Sequence, residues 1–189
     1  HEEKNYEHDL IISHGSTLLI VEAKASARKE PMRDIDRAYT KIRDHFRSSS
    51  GLQKAFDQAN NFKNRLLEKG TIQLFNRDDM VVELNKNNYE NIFCICITRD
   101  DYKSIGCLIN FMLDKKDNDT YPWVSDVSNL KNISMAWQHL KLEANDFYIF
   151  LEQRLQLYGK VIGTDELEYV GSYLEYEGGL KGFIDANAD

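Results

Sequence analysis

Apolar residues form two short runs near the start of the chain, Leu10–Ile12 and Leu18–Val21. Between them, residues 14–17 read His-Gly-Ser-Thr, and this arrangement predicts a β-hairpin. With Gly15 and Ser16 as a two-residue turn, Gly15 supplies the positive φ that a type II′ turn requires at its first position. In this register residue 14 faces residue 17, and every other cross-strand pair is fixed accordingly.

Helical periodicity follows the hairpin. Met32 to Arg47 is predicted to be helical, and Ser48–Gly51 is predicted to be a break. Leu52 to Lys69 is predicted to be a second helix, with Gly70 as its C-cap. The apolar positions of this second helix recur at the spacing of one helix face: Leu52, Phe56, Ala59, Phe62 and Leu66.

Three later segments predict β-strands. They are Ile72–Phe75, Met80–Leu84 and the apolar run Asn91–Thr98. Two helices in succession followed by strands predict an α/β sandwich, in which helices flank a mixed central β-sheet.

A polar stretch at residues 114–119 is predicted to be a domain boundary. Residues 1–113 are expected to form the core domain, and residues 120–189 a mostly helical C-terminal subdomain. Tyr121–Val124 is predicted to open this helical tail, and Thr164 to cap its last helix. The tail is rich in aromatic residues, and basic residues do not alternate with them. This pattern favours a role of the aromatic residues in the core or in a protomer interface over a role as a base-stacking platform.

Composition is typical of a compact protein with an apolar core. The chain has 189 residues, of which 42% are hydrophobic. No apolar run approaches the roughly 20 residues that a bilayer-spanning helix needs, so we expect no membrane partner and a cytoplasmic location. Cys94, Cys96 and Cys107 are expected to be reduced structural residues, since the pair in the Asn91–Thr98 strand lacks the spacing of a zinc site.

The predicted hairpin also brings charged side chains together. Its register sets Asp9 opposite Glu22, about 5 Å apart at Cβ. Glu22 and Lys24 are two residues apart in a strand and therefore share a face, whereas Ala23 points the other way. Two carboxylates and one amine are thus expected to surround a single point.

Two carboxylates that converge without a cation repel each other. Mg²⁺ resolves this repulsion, because it accepts one or two carboxylates and keeps waters or phosphate oxygens as its other ligands. Such an ion polarises a phosphoryl oxygen and lowers the pKa of a bound water. The predicted cofactor is therefore Mg²⁺, with Mn²⁺ as a substitute, and the predicted metal ligands are Asp9 and Glu22.

This constellation resembles the PD-(D/E)xK nuclease superfamily, which has the restriction-endonuclease-like fold. The family's first acidic motif falls on Asp9, and its Glu-x-Lys motif falls on Glu22 and Lys24. Some branches carry a Gln-x-x-x-Tyr motif on the helix after the lysine, and here Gln58 is followed by Phe62 in place of Tyr.

The sequence departs from the family pattern at two further points. The Pro that names the family is absent, because His8 precedes Asp9. The helix that many members place before the hairpin is expected to be missing from this sequence, which starts at His1. The resemblance implies a restriction-endonuclease-like core and a catalytic set of Asp9, Glu22, Lys24 and Gln58. Lys24 would orient or deprotonate the attacking water or stabilise charge on the phosphate.

The net charge of −7 argues against a broadly basic nucleic-acid-binding surface, but not against a local one. Basic residues follow the Glu-x-Lys strand and continue into the next predicted helix, and some of them share a helix face. The alternative is a solvated helix face whose basic residues pair with neighbouring aspartates. The predicted DNA-binding residues are Arg28, Lys29, Arg33, Arg37 and Lys41.

These observations predict a metal-dependent nuclease that hydrolyses DNA, acting as a homodimer or beside other domains of a larger chain. A role in defence against foreign DNA or in repair is implied by the resemblance alone. One alternative is a catalytically inactive module that keeps the fold for assembly. Another is an RNA-directed nuclease, which dependence on the 2′-hydroxyl would distinguish.

Overall fold

The computed structural model describes residues 7–25, 33–76 and 79–188. The strands are β1 Leu10–His14, β2 Thr17–Lys24, β3 Thr71–Asn76, β4 Asp79–Asn85, β5 Asn91–Thr98 and β6 Trp123–Asp126. The helices are α1 Ile35–Phe46, α2 Leu52–Lys69, α3 Ser104–Cys107, α4 Ile109–Met112, α5 Val127–Leu140, α6 Ala144–Leu155, α7 Glu166–Glu175 and α8 Lys181–Asp185, with a 3-10 turn at Lys86–Asn88. Within the described ranges, none of these helices is long and apolar enough to cross a membrane.

Four strands form the central sheet in the order β1-β2-β5-β6, whereas β3 and β4 form a separate antiparallel hairpin. β1 runs antiparallel to β2, and β2, β5 and β6 run parallel to one another. Helices pack on both faces of this sheet. The prediction of an α/β fold with a mixed central sheet flanked by helices is therefore confirmed.

The first hairpin has the predicted register. His14 pairs with Thr17, and the ladder continues to the pair of Leu10 and Val21. Gly15 has a φ of +56°, while Ser16 is not among the residues with positive φ. This combination is that of a type II′ turn, in which the first central position alone has positive φ.

One face of the sheet is covered by α2. Leu18 and Ile20 of β2 are fully buried against Ala59, Phe62 and Leu66 of the helix. The helix has the predicted bounds, and Gly70 ends it with a φ of +81°.

The opposite face is covered by the helices that follow β6. Leu19 of β2 and Phe93 and Ile95 of β5 belong to a buried cluster with side chains from α5, α6 and α7. Trp123 of β6 lies in the same cluster and is fully buried. The C-terminal helices therefore complete the core of the central sheet, and the division into two domains at residues 114–119 stays a prediction.

Two predicted element boundaries are corrected. The helical tail does not open at Tyr121–Val124, because Trp123–Asp126 is strand β6, paired with β5; periodicity alone does not separate a short buried strand from a helix. The last predicted helix is capped by Asp165, which accepts a hydrogen bond from the Glu168 backbone N–H, and not by Thr164. The Thr164 backbone N–H and hydroxyl instead donate to the Glu168 carboxylate, which lowers its pKa.

The predicted first helix also starts later than expected. α1 begins at Ile35, with the Asp34 carboxylate accepting a hydrogen bond from the Arg37 backbone N–H. Asp at this position is a strong N-cap, because its side chain satisfies a backbone N–H that has no partner within the helix. Met32, where the helix was predicted to begin, lies outside the described residues.

A buried ion pair joins two of the C-terminal helices. The Arg154 guanidinium of α6 is fully buried and donates to both carboxylate oxygens of Glu166, with distances from 2.6 to 3.2 Å. It also lies 4.1 Å from the ring centroid of Tyr158 and 3.8 Å from that of Tyr169. Glu166 accepts a further hydrogen bond of 2.9 Å from the indole of Trp123. Charge pairing and ring contacts thus compensate for the desolvation of both groups.

Replacing Gly15 by Ala is expected to destabilise the protein by about 1–2 kcal/mol, because an L-residue in the left-handed region meets its own backbone. Urea denaturation measures the change. Gly171→Ala is the matched control: Gly171 lies in the interior of α7 with open space around it, so alanine there should stabilise by about 0.5–1 kcal/mol. Equal effects of the two substitutions would contradict the turn assignment.

Breaking the buried ion pair from one side is expected to cost about 3–5 kcal/mol, because the remaining charge is left buried and unpaired. Glu166→Gln and Arg154→Met each do this, and Gln retains an oxygen for the Trp123 indole. The double variant should cost clearly less than the sum of the two, since neither charge remains. Additive losses in urea denaturation would show that the pair is not coupled.

Candidate active site

The candidate site lies at the carboxyl end of β2, on the face that α2 covers. Side chains alternate between the two faces of a strand, so Glu22 and Lys24 lie on the same face as the buried Leu18 and Ile20. Glu22 is 1% exposed and Lys24 is half-buried. An apolar strand thus ends in a carboxylate that the core surrounds and an amine that reaches solvent.

The Glu22 carboxylate has one partner within the described residues. The Nδ1–H of His8 donates to its Oε1 at 2.7 Å. The imidazole of His8 packs with its edge toward the ring of Phe62, with the centroids 4.7 Å apart. The buried carboxylate is therefore held through one of its two oxygens.

Asp9 lies beside this group and remains exposed. The register predicts Asp9 as the cross-strand partner of Glu22. In the structure Asp9 lies at a bend just before β1 and is not part of the β-ladder. Its Oδ2 accepts a hydrogen bond of 2.7 Å from the backbone N–H of Ala23, the residue between Glu22 and Lys24. The carboxylate of Asp9 is thereby anchored to the Glu-x-Lys triplet, with its other oxygen left for further contacts.

Lys24 and Gln58 meet across the sheet and helix. The Nζ of Lys24 donates to the Oε1 of Gln58 at 3.3 Å. Gln58 of α2 therefore contacts the amine and orients it, and its catalytic role stays a prediction. Phe62 lies one helical turn further along the same face, where its ring supports His8.

The donors at this site suit a hard divalent cation that is bound only in part by protein. No group of three or more His, Cys, Asp or Glu side chains that would enclose a metal is found in residues 7–25, 33–76 and 79–188. Mg²⁺ commonly takes only one or two carboxylates and completes its shell with water and phosphate oxygens. Asp9 and Glu22 fit that donor set, and the buried Glu22 carboxylate, which His8 holds through Oε1, carries a charge that a cation would compensate.

The predicted DNA-binding residues are placed differently from one another. Arg33 precedes α1, and Arg37 and Lys41 lie on it; all three are exposed. Within the described part of the chain, no hydrogen bond or ion pair joins their side chains to Asp9, Glu22 or Lys24. Arg28 and Lys29 lie outside the described residues.

A neighbouring thiol offers no nucleophile. Cys96 of β5 pairs in register with Glu22 and is fully buried. Burial raises its pKa well above the ordinary value, and it raises the pKa of Cys94 to about 12. A thiol is nucleophilic only as the thiolate, so the chemistry of this site rests on its carboxylates and its amine.

Sequence reasoning missed one residue of the site, His8. The predicted register, extended to residue 8, would make it a partner of Ala23 and would not direct its side chain to Glu22, whereas the observed ladder ends at the pair of Leu10 and Val21. The bend at Asp9 turns the chain so that the imidazole reaches the carboxylate. The departure from the family's Pro at this position was the available signal.

Comparison of the chain with protein-family models, with curated proteins and with solved structures finds no match. The geometry of Asp9, Glu22, Lys24 and Gln58 therefore carries the functional argument by itself.

Proposed function

We propose that this chain is a metal-dependent nuclease with a restriction-endonuclease-like fold, which hydrolyses phosphodiester bonds of DNA. The observation that carries the proposal is the meeting of three groups at the end of β2. Glu22 is buried there, the Asp9 carboxylate is bonded to the adjacent backbone, and Lys24 is oriented by Gln58. This is the arrangement that the resemblance to the PD-(D/E)xK superfamily implies for Asp9, Glu22, Lys24 and Gln58.

The burial of Glu22 supports a role in binding a cation. An ionised carboxylate inside a protein is costly unless it is paired or coordinates a metal. Within the described residues, its partner is His8, through one oxygen. The second oxygen of Glu22 and the free oxygen of Asp9 would hold Mg²⁺, with Mn²⁺ as a substitute.

The reaction divides among the residues of the site. A divalent ion held by Asp9 and Glu22 would supply polarisation of the phosphoryl oxygen and a lowered pKa of bound water. Lys24 stabilises the negative charge that develops on the phosphate or takes the proton of the attacking water. Gln58 fixes the direction of the Lys24 amine, which limits the conformations that must be ordered for the reaction.

The exposed basic residues of α1 support the choice of a nucleic acid as substrate. Arg37 and Lys41 are one helical turn apart on α1, and Arg33 lies just before the helix. In a chain of net charge −7, such a local group would supply the phosphate contacts, together with Arg28 and Lys29.

A homodimer or further domains would add contacts to the DNA. The free buried cysteines favour a cytoplasmic setting. Defence against foreign DNA or DNA repair is the biological role we propose.

One observation favours a second candidate, a catalytically inactive module that uses this fold for assembly. The described residues contain no group of three metal-ligating side chains. A module of this kind would bind neither Mg²⁺ nor Mn²⁺ through Asp9 and Glu22, and its function would not depend on Lys24. Metal binding therefore separates the two candidates.

Cleavage of supercoiled plasmid tests the nuclease. In Mg²⁺ or Mn²⁺ the protein should nick the plasmid, EDTA should stop the reaction, and Asp9→Ala or Lys24→Ala should each lower the rate at least about 100-fold. The matched controls are Asp117→Ala, in an exposed loop, and Lys131→Ala, on an exposed position of α5. Both should cut like the unchanged protein. An inactive protein that also fails to bind Mn²⁺ in calorimetry would establish the assembly module instead, and cleavage of RNA alone would establish an RNA-directed nuclease.

Binding of DNA as a function of salt tests the basic segment. Each lysine or arginine that contacts a phosphate contributes about 0.9 to the slope of log affinity against log salt. Arg37→Ala and Lys41→Ala should each reduce the slope by about that amount, whereas Lys181→Ala, on an exposed position of α8, should leave it unchanged. Unaltered slopes for both α1 variants would assign these residues to a solvated helix face.

A further inference from the structure

The imidazole of His8 lies between Glu22 and Phe62. Its Nδ1 is 2.7 Å from the Glu22 Oε1, and its ring meets the Phe62 ring edge-on at 4.7 Å. The side chain of His8 is 9% exposed and that of Glu22 is 2% exposed, so the hydrogen bond between them is shielded from water. A hydrogen bond to a charged acceptor in such surroundings is strong and directional.

We propose that His8 is a positioning residue that holds Glu22 in the orientation needed to bind the metal ion. This inference rests on the proposed function, because it assigns to His8 the role of orienting the proposed metal ligand Glu22. A glutamate side chain has three rotatable bonds, and one fixed oxygen is enough to select its rotamer. With Oε1 bound to His8, Oε2 is the oxygen that remains for the ion. Without the imidazole, Oε1 would be a buried charged acceptor with no donor among the described residues, which favours rotation toward solvent.

Phe62 completes this support from α2. The phenyl ring is 6% exposed and packs in the cluster that joins α2 to β2, so its position is fixed by the core. Its contact with His8 limits the rotation of the imidazole. His8 and Phe62 are also the two positions at which the chain departs from the family motif, and they contact each other. The edge-on aromatic pair thus links the helix to Glu22 at the place where the motif would have Pro and Tyr.

The geometry excludes direct ligation through Nδ1 of His8. Its Nδ1 carries a proton toward the carboxylate, because an ionised carboxylate only accepts hydrogen bonds. That nitrogen therefore has no lone pair for a metal. Mg²⁺ in addition prefers oxygen ligands over imidazole nitrogen. The imidazole acts on the ion through Glu22.

Three substitutions at His8 separate the hydrogen bond from the ring contact. His8→Phe keeps an aromatic ring against Phe62 and removes the donor. His8→Asn removes the ring and keeps an N–H donor at a similar distance from the backbone. His8→Leu is a smaller replacement without a donor, for use if His8→Phe fails to fold. His139→Phe is the matched control, because His139 is exposed on α5, which packs on the opposite face of the sheet.

The measurement is Mn²⁺ binding by calorimetry at one fixed pH, with the metal alone as ligand. His8→Phe is expected to weaken Mn²⁺ binding about 10- to 100-fold, the usual effect of removing a group that orients a metal ligand. His8→Asn should bind closer to the unchanged protein than to His8→Phe, and His139→Phe should bind like the unchanged protein. In the nicking assay, His8→Phe should need more Mn²⁺ and regain most of its kcat at saturation, because Glu22 and Lys24 are intact.

Two results would overturn the positioning role. The first is Mn²⁺ binding by His8→Phe, or by His8→Leu in its place, at unchanged affinity. The second is equal weakening in His8→Phe and His8→Asn, which would point to the imidazole itself as a ligand. Mn²⁺ binding by Asp9→Ala and Glu22→Gln distinguishes a failure of the positioning role from a failure of the proposed function. If those two variants also bind Mn²⁺ normally, it is the metal site that is wrong.

Discussion

The register of the hairpin formed by β1 and β2 is the constraint on which the rest of the structure depends. Gly15 sets it, because the turn needs a residue with positive φ at that position. In this register Leu18 and Ile20 face α2, and the same alternation carries Glu22 and Lys24 to the same side. A slip of one residue would exchange the buried and exposed faces of a strand. The core and the candidate site would then be lost together, because both depend on the same strand register.

Two buried glutamates in this chain illustrate how a structural carboxylate differs from one that is suited to bind an ion. Glu166 is satisfied on both oxygens, by the Arg154 guanidinium and the Trp123 indole. Glu22 is equally buried, but within the described residues a single donor holds one of its oxygens. The cost of burying a charge is offset inside the protein in the first case. In the second case the described residues offset it only in part, and we propose that an ion from solution offsets the remainder.

Elements of the fold that local patterns specify could be predicted from the sequence. The bounds of α2 and β5 and the hairpin register follow from periodicity, a C-cap glycine and turn chemistry, all of which act over a few residues. β6 was missed because its four residues are too short to show a period, and their pairing with β5 is a long-range contact. The resemblance singled out Lys24 and Gln58 but not their contact, and the contact of His8 with Glu22 depends on a bend that no spacing encodes. Long-range pairing and bends are decided by tertiary packing.

The helix α2 connects the stability of the core to the geometry of the site. Its residues Gln58 and Phe62 lie one turn apart on the same face, and they contact Lys24 and His8 respectively. The same face contributes Ala59 and Leu66, fully buried against β2, so the helix cannot shift along the strand without opening the core. The amine and the imidazole are therefore held from a rigid element, while among the described residues a single backbone hydrogen bond holds Asp9 at an exposed bend. Of the groups proposed to meet the substrate and its ion, Asp9 has the most freedom to adjust when they bind.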